Sequence, residues 1–359
     1  MPDNELKNIL VTGTAGFIGY HLVQRLVKEG YNVTGIDNIN SYYDVQLKLD
    51  RLKETGIEIP EKPDGKIQSS EHENYSFYKL DLNDREGLAK LFEQESFDVV
   101  INLAAQAGVR YSLENPHAYL ESNITGFLNI LEGCRHTSVG HLIYASSSSV
   151  YGNNDEVPFK TSDRVDTPVS LYAATKKSNE LMAHTYSHLF DVPATGLRFF
   201  TVYGPWGRPD MALFKFADLM TAGKPIDVYN HGDMYRDFTY IDDIIESIVR
   251  LIPKIPGSSV VKPSEKVKDT GKQEKSNAPH RVFNIGHGSP VKLMDFIDTL
   301  EKNLGITAEK NMMPMQPGDV PRTWADVEDL FEVIDYKPKV SVEVGISEFI
   351  RWYKAYFEK

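Results

Sequence analysis

The segment 171–177, Leu-Tyr-Ala-Ala-Thr-Lys-Lys, places a tyrosine four residues before a lysine. Its residue types favour a helix, in which Tyr172 and Lys176 would lie one turn and about 6 Å apart on one face. An ammonium group near a phenol favours the phenolate, and a phenol with its ordinary pKa near 10 needs such help to act as a base at neutral pH. The spacing alone favours a surface helix, but together with a dinucleotide-binding turn in the same chain it predicts that Tyr172 is a catalytic base and Lys176 its partner.

A second tyrosine and lysine with the same spacing provide a control. Tyr75 and Lys79 lie in a run that is typical of a β-strand. Residues in a strand advance about 3.3 Å each, so these two would be about 13 Å apart, which is too far for them to act together. Only the pair at 172 and 176 remains a candidate.

Three glycines at the end of the first apolar run have the spacing of a dinucleotide-binding turn. Gly13, Gly16 and Gly19 follow the strand-like run 8–12 and open a helical pattern. Glycines let the backbone turn tightly and approach a pyrophosphate, and the N–H groups at the helix N-terminus then face the phosphate charge. Asp37 closes the second strand-like run, where a carboxylate binds an adenosine ribose and repels a 2′-phosphate. The sequence therefore predicts a site for NAD rather than NADP.

Four consecutive serines, Ser146 to Ser149, stand at the end of the fifth predicted strand. In an open parallel sheet the ligand lies beyond the carboxyl ends of the strands, where a hydroxyl can share a hydrogen bond with a substrate oxygen and a tyrosine. Serines are also ordinary turn formers, so we expect several of the four to have only a structural role.

These residues need a scaffold, and the apolar pattern predicts one. Short β-branched runs alternate with amphipathic helical patterns, as is typical of a parallel sheet with helices on both faces. The predicted strands are 8–12, 33–37, 75–81, 98–103, 141–146 and 194–199, and the predicted helices are 17–29, 85–94 and 120–135. We predict an α/β fold with a Rossmann-like, doubly wound parallel sheet in residues 1–199 and a smaller, mixed C-terminal substrate lobe in residues 200–359. The polar run 253–280 is predicted to be a flexible insert in that lobe.

Composition excludes several functional classes. The net charge of the 359 residues is −12, so no basic surface is available to bind nucleic acid non-specifically, and an anionic substrate would need local cations. Cys134 is the only cysteine in the sequence, which excludes an intrachain disulfide and fits a reducing compartment. There is no run of about 18 apolar residues, and the first strand leaves no room for a signal peptide before it. We expect a soluble, cytoplasmic protein with no membrane span.

With these elements in this order, the chain resembles the extended short-chain dehydrogenases, and more narrowly the UDP-glucuronate (uronic acid) 4-epimerases. The resemblance runs from Asn8 to Tyr353, apart from the insert. The motifs that carry it are Gly-Ile-Asp-Asn at 35–38, Tyr-Tyr-Asp at 42–44, Ala-Ala-Gln-Ala-Gly-Val-Arg-Tyr-Ser at 104–112, the run 197–211, Tyr-Arg-Asp-Phe at 235–238 and Pro-Gly-Asp-Val at 317–320.

The resemblance implies an NAD that is held tightly and kept through turnover, and no metal ion. The cofactor-binding residues that it implies are Gly13, Gly16, Phe17, Ile18, Gly19, Asp37, Asn38, Asp81, Leu82, Leu103, Ala104, Ala105, Asn123, Tyr172, Lys176 and Phe199. It assigns catalysis to Tyr172, Lys176 and Ser147, and contacts with the nucleotide diphosphate and ribose to Arg236 and Asp319. Family members usually form homodimers by packing two helices from each subunit into a bundle, and the candidates here are 120–135 and 171–189.

The residues at 147–149 favour epimerisation over related reactions. Related dehydratases have Thr-Asp-Glu at these positions and decarboxylases keep the glutamate, whereas this chain has three serines. No carboxyl group is therefore available there for elimination or an extra proton transfer. The resemblance then implies that Tyr172 removes the proton of the sugar 4-hydroxyl while C4 gives a hydride to NAD. The 4-keto intermediate turns in the site and takes the hydride back on its other face.

A uronate substrate would bring a second anionic group to be bound. An arginine at 208 or 110, with the hydroxyls of Ser148, Ser149 and Thr201, is predicted to hold its carboxylate through charge-assisted hydrogen bonds. Hexose epimerases typically have asparagine in place of Thr201. The predicted reaction is therefore the interconversion of UDP-glucuronate and UDP-galacturonate.

Other functions remain open at this point. The same scaffold suits a UDP-glucose/UDP-galactose 4-epimerase, another nucleotide-sugar epimerase, or an oxidoreductase, which stoichiometric release of NADH would identify. A non-catalytic dinucleotide sensor is an alternative of a different class. The Tyr172–Lys176 pair and Ser147 argue against a sensor, because a sensor needs no base.

Overall fold

The computed structural model describes residues 6–63, 65–257, 278–316 and 319–357. Strands and helices alternate through the first part of the chain. The strands there are β1 (Asn8–Thr12), β2 (Asn32–Asp37), β3 (Ile67–Gln68), β4 (Tyr75–Lys79), β5 (Val99–Asn102), β6 (His141–Ser147) and β7 (Ala194–Phe199). The helices are α1 (Phe17–Lys28), α2 (Val45–Lys53), α3 (Arg85–Glu95), α4 (Tyr111–Glu114), α5 (Pro116–Tyr119), α6 (Gly126–His136) and α7 (Leu171–Phe190), with a π-helix at Leu120–Thr125 and a 3₁₀ turn at Ser148–Tyr151.

Shorter strands occupy the rest of the chain. They are β8 (Thr201–Tyr203), β9 (Ile226–Val228), β10 (Tyr235–Arg236), β11 (Phe238–Tyr240), β12 (His280–Ile285), β13 (Val291–Lys292) and β14 (Lys310–Met312). The helices are α8 (Ala212–Thr221), α9 (Ile241–Leu251), α10 (Leu293–Leu304), α11 (Glu328–Ile334) and α12 (Val342–Phe357), with a 3₁₀ turn at Tyr229–Gly232.

Eight strands form one sheet, in the order β12-β7-β6-β5-β1-β2-β4-β3. All neighbours in it are parallel except β3 and β4, which pair antiparallel. The strand order reverses at β1, and at such a switch point the loops at the carboxyl ends separate and leave a crevice. The predicted α/β fold with a Rossmann-like parallel sheet is confirmed.

The central strand β1 shows why the sheet is covered on both faces. Ile9, Leu10 and Val11 have no exposed surface. Ile9 and Val11 pack in one cluster with residues of α1 and α9, whereas Leu10 packs in another with residues of α3 and α6. Successive side chains of a strand point to opposite faces, so a continuous apolar run requires an apolar layer on each side.

One predicted helix is divided in the structure. The range 120–135 was expected to be a single helix, but it begins as a π-helix at Leu120–Thr125 and continues as α6. The division occurs where Gly126 packs closely on Leu82, since a Cβ on that glycine would lie 2.7 Å from the Leu82 Cβ. π-turns inside helices are frequent at functional sites, and this one buries Asn123.

The part of the chain after residue 199 is not separated from the sheet. Its strand β12 pairs with β7 through all six residues of each strand. The remaining strands form three two-stranded pairs, β8–β11, β9–β14 and β10–β13. The boundary between residues 199 and 200 stays a prediction. Most of the predicted insert 253–280 lies outside the described residues.

A buried ion pair joins four of these elements. Arg198 on β7 donates to both carboxylate oxygens of Glu180 on α7, at 2.8 and 3.0 Å, and each side chain is only 4% exposed. The Ser146 hydroxyl of β6 donates to the same carboxylate at 2.7 Å. Arg198 also donates to the Tyr151 hydroxyl, which donates in turn to Asn284 of β12. Burial alone would raise the pKa of Glu180, but hydrogen bonds and charge from Arg198 lower it, so the carboxylate stays ionised.

We predict that Arg198→Met lowers the free energy of unfolding by about 3–5 kcal/mol, because the buried Glu180 carboxylate loses the guanidinium that bonds to both of its oxygens and keeps the more distant Lys177, at 3.4 Å, as a cation. Urea denaturation measures this change. The double variant Glu180→Leu/Arg198→Met should recover part of the loss, because no buried charge is left unpaired and Lys177, whose side chain is 25% exposed, can turn to solvent. Arg164→Met is the control, because the Arg164 side chain is 94% exposed. A single variant as stable as the wild type would show that the pair contributes nothing to the fold.

Candidate active site

A cavity of about 830 Å³ opens at the carboxyl ends of β1, β2, β5, β6 and β7. The predicted site residues that line it are Gly13, Gly16, Phe17, Ile18, Gly19, Asp37, Asn38, Asp81, Leu82, Leu103, Ala104, Ala105, Arg110, Ser147, Ser148, Ser149, Tyr172, Lys176, Phe199, Thr201, Arg208, Arg236 and Asp319. Asn123 is the exception. It is buried behind the cavity wall, where its amide exchanges two hydrogen bonds with the Gln106 backbone, at 2.8 and 3.0 Å.

The glycine turn leaves room for a ligand that approaches the backbone. Gly13 has φ +78°, which favours glycine, and a Cβ there would lie 3.0 Å from the Ala104 nitrogen. A Cβ on Gly19 would collide with the Gly13 carbonyl. Gly16 precedes α1 without a side-chain cap, and the first turn of α1 carries no acidic residue. The N-terminal N–H groups of α1 thus face a cradle that fits the pyrophosphate of NAD.

Asp37 lies at the far end of this cradle. Its carboxylate accepts hydrogen bonds from the backbone nitrogens of Ala15, at 3.1 Å, and Ile39, at 2.8 Å. Burial raises the pKa of Asp37, and these hydrogen bonds and the charge of Lys48 oppose the rise. The Lys48 ammonium donates to the Asn40 carbonyl at 2.6 Å and lines the cavity. Sequence reasoning missed Lys48, which lies in the crossover between β2 and β3.

Two further predicted residues meet beside Asp37. The Asn38 amide donates to the Asp81 carboxylate at 2.7 Å, which connects the ends of β2 and β4. Leu82 follows Asp81 and packs in the core. This side of the cavity therefore combines fixed carboxylates with an apolar wall, which suits an adenosine.

Tyr172 and Lys176 lie one turn apart on α7, as predicted, and both line the cavity. Burial raises the pKa of Tyr172, a hydrogen bond with Ser147 and the charge of Arg208 act to lower it, and the charge of Asp210 opposes Arg208. The Lys176 ammonium donates to the Ala145 carbonyl at 2.9 Å. Burial lowers the pKa of Lys176 to about 8. That Lys176 is the partner of the phenol stays a prediction, and the charged groups that act on the Tyr172 phenol here are Arg208 and Asp210.

The four serines have different surroundings. Ser146 donates to Glu180 and belongs to the buried network beneath the site. Ser147 ends β6, and its hydroxyl donates to the Ser149 hydroxyl and accepts from the Ser149 nitrogen, both at 3.2 Å. Ser148 and Ser149 begin the 3₁₀ turn and line the cavity. The serine run therefore presents hydroxyls to the cavity at the point where Tyr172 faces it.

Arg208 is already paired in the cavity wall. Its guanidinium forms a two-point contact with the Asp210 carboxylate, in which Nε donates at 3.0 Å and Nη2 makes the second bond. The Tyr42 hydroxyl donates to the same carboxylate at 3.2 Å. Burial would raise the pKa of Asp210, but Arg208 lowers it. Sequence reasoning missed Asp210 and the role of Tyr42, although both lie in motifs that it singled out.

The outer end of the cavity holds the remaining predicted ligands. Arg110 donates to the Asp319 carboxylate at 3.3 Å, and its guanidinium lies 4.9 Å from the centre of the Tyr229 ring. Arg236 donates to the carbonyls of Tyr235, at 2.9 Å, and Pro321, at 3.1 Å. Arg110 and Asp319 are therefore partners of each other, and a substrate would have to share or replace that contact.

The described residues also contain neither a metal-binding cluster nor a membrane-spanning helix. Among them, no group of three or more histidine, cysteine, aspartate or glutamate side chains is placed to hold a metal ion. Within the same residues, no helix is both long enough and apolar enough to cross a membrane.

We predict that Gly19→Ala purifies with little bound NAD, because the added methyl group displaces the Gly13 carbonyl and closes the cradle. Extraction of nucleotide from the purified protein and anion-exchange chromatography measure the bound NAD. Gly30→Ala just after α1 is the control for backbone strain, since φ +85° disfavours alanine there while no atom lies within 4 Å of its Cβ position, so the cradle stays open. NAD retained equally by both variants would place the pyrophosphate elsewhere.

The comparisons with known proteins agree with this geometry. The model of the NAD dependent epimerase/dehydratase family matches residues 9–261. Protein CapI of Staphylococcus aureus is 56% identical over 351 residues, which cover 98% of this chain and 99% of that protein. A probable UDP-glucuronate 4-epimerase of Rhizobium meliloti (strain 1021) is 51% identical over 344 residues, which cover 96% of each chain.

A solved structure extends the similarity to three dimensions. UDP-glucuronic acid 4-epimerase from Bacillus cereus, in complex with UDP-glucuronic acid and NAD, superposes with a TM-score of 0.80 at 33% identity. The match covers 98% of this chain and all of that one. This chain is a member of the NAD dependent epimerase/dehydratase family.

Proposed function

We propose that this protein is a UDP-glucuronate 4-epimerase that interconverts UDP-glucuronate and UDP-galacturonate with a retained NAD. The observation that carries the proposal is the meeting of Tyr172, Lys176 and the hydroxyls of 147–149 in one cavity with the glycine cradle. Positions 147–149 supply no carboxyl group, and the nearby Asp210 is held as an ion by Arg208. Proton transfer at the sugar 4-hydroxyl, without elimination, is the chemistry that this set of groups supports.

The proposed steps follow from the positions of the side chains. Tyr172, as phenolate, takes the proton of the 4-hydroxyl, and Ser147 donates a hydrogen bond to the same sugar oxygen. NAD bound in the cradle supplies the acceptor, and later the donor, of the C4 hydride. The resulting 4-keto sugar turns in the cavity, and Tyr172 returns the proton to the oxygen after the hydride reaches the other face of C4. Protons and hydride both balance over the cycle.

The ion pair between Arg208 and Asp210 limits how many donors Arg208 can offer to the uronate carboxylate. Because Asp210 already takes two of its donors, Arg208 holds the carboxylate together with hydroxyls that line the cavity, those of Ser148, Ser149 and Thr201. Arg110 lies further out with Asp319 and serves the nucleotide end with Arg236. The proposal thus divides the predicted substrate ligands between the two ends of the UDP-sugar.

The proposal includes a homodimer in the cytoplasm. Exposed leucines are concentrated on the predicted bundle helices, with Leu181 58% and Leu189 61% exposed on α7, and Leu128 exposed on α6. Apolar side chains exposed along two adjacent helices favour burial against a second copy.

UDP-sugar chemistry and the single buried thiol of Cys134 fit a reducing compartment.

Tyr172→Phe should keep bound NAD but lower kcat for UDP-glucuronate by about 10²–10⁴-fold, since the proton acceptor is lost. Conversion is followed by chromatography of the UDP-sugars, and NAD by extraction. Tyr186→Phe is the control on the same helix, because that hydroxyl donates to Glu132 outside the cavity. Substantial turnover by Tyr172→Phe would remove Tyr172 from the role of base.

Arg208→Ala should reduce kcat/KM for UDP-glucuronate at least about tenfold more than for UDP-glucose, because only the uronate presents a carboxylate to the lost cation. Parallel assays with the two substrates measure the difference. Arg110→Ala, which changes the Asp319 contact, should affect both substrates alike. Equal losses for both substrates in Arg208→Ala would contradict its role at the carboxylate.

A further inference from the structure

Three consecutive backbone carbonyls precede Arg208, and two side chains from distant helices bind all three. The His21 ring of α1 contacts the Pro205 carbonyl through Nε2 at 2.9 Å. Arg51 of α2 donates from Nη2 to the carbonyls of Trp206, at 2.8 Å, and Gly207, at 3.0 Å. These contacts span 155 to 184 residues of sequence, so they are tertiary constraints on the loop and not part of its local structure.

The same guanidinium also binds the cofactor cradle. Arg51 donates from Nη1 to the Ala15 carbonyl at 2.9 Å and to the Tyr43 hydroxyl at 2.7 Å. Ala15 lies between the glycines of the turn, and its nitrogen donates to Asp37. One fully buried side chain therefore bonds both to the turn that fits the pyrophosphate and to the loop that leads to Arg208.

The loop has a conformation that needs such support. Trp206 has φ +58°, in the left-handed region that non-glycine residues rarely adopt. A Cβ on Gly207 would lie 2.9 Å from the Gly204 carbonyl, so the turn is tight. Strained backbone persists where the surroundings over-determine it, and such segments are concentrated at functional sites.

His21 is suited to a fixed donor role. Burial lowers its pKa to about 4, so the ring is neutral at physiological pH. Because a carbonyl only accepts, Nε2 must carry the proton in the contact with Pro205. An amide side chain of similar reach offers the same donor, whereas an aliphatic one does not.

We propose that Arg51 and His21 are positioning residues that tie the substrate loop 204–211 to the cofactor turn and thereby set the place of Arg208 beside Tyr172. The catalytic consequence rests on the proposed function; the structural one does not. When these hydrogen bonds are lost, the loop relaxes, and Arg208 moves with its partner Asp210 away from the position in which it would bind the substrate carboxylate. Arg51 and His21 thus hold the glycine turn and the substrate loop in a fixed relative position, although the two segments belong to opposite halves of the chain.

The test uses the NAD-bound protein and the variants Arg51→Lys, His21→Leu and His21→Gln. A lysine offers compact donors that cannot span both loops as the planar guanidinium does. We expect amide hydrogen exchange of residues 208–212 to rise about tenfold or more in Arg51→Lys and His21→Leu, as for a locally opened segment. We expect kcat for UDP-glucuronate to fall by a similar factor, with bound NAD in His21→Leu unchanged. His21→Gln should remain near the wild type in both measurements.

Unchanged exchange in both Arg51→Lys and His21→Leu would overturn the proposal. It would also be overturned if Arg51→Lys lost activity only in proportion to lost NAD while exchange of 208–212 stayed normal, since Arg51 would then serve the cradle alone. If Arg51→Lys does not fold, the comparison of His21→Leu with His21→Gln tests the proposal by the same criteria. If the wild type fails to convert UDP-glucuronate, the proposed function is wrong, but the exchange measurements still decide whether the loop is held.

Discussion

The geometry of the site depends on the buried ion pair between Glu180 and Arg198. Tyr172, Lys176 and Glu180 follow one another at four-residue intervals on α7, so they share one face of that helix. Glu180 binds Ser146 of β6 and Arg198 of β7, so one carboxylate fixes the helix with the base against the strand that ends in Ser147. The charges are buried together with their hydrogen bonds, an arrangement that is costly to disrupt from either side.

An acidic protein must still hold a strongly anionic substrate and cofactor, and the structure shows where its local positive charge lies. Lys48, Lys176, Arg208 and Arg236 line one cavity, while the net charge of the chain is −12. Three of them bond to backbone carbonyls, which are those of Asn40, Ala145, Tyr235 and Pro321, and Arg208 pairs with the Asp210 carboxylate. The cations therefore shape the loops of the cavity as well as its potential.

The sequence predicted the features that leave a local pattern of residue types. Every predicted strand exists within two residues, because buried parallel strands leave continuous apolar runs, and the glycine turn has a spacing that few other structures require. The sequence did not predict the roles of Arg51, Lys48 and Asp210, because their contacts depend on loops that fold back over the cavity. Arg51 in addition binds mainly backbone carbonyls, which leave no pattern of residue types. The π-helix at 120–125 was not predicted; it ends where Gly126 packs on Leu82, a contact that only the assembled fold contains.

The most direct measurement of the central claim is incubation of the purified protein with UDP-glucuronate, without added NAD, followed by anion-exchange separation of the products. The account predicts a UDP-galacturonate peak that approaches a fixed ratio to the substrate, with no net NADH, because the hydride returns in every cycle. Absence of that product, even with NAD supplied, would contradict the account. Conversion of UDP-glucose to UDP-galactose in its place would preserve the chemistry of Tyr172 but contradict the recognition of a uronate.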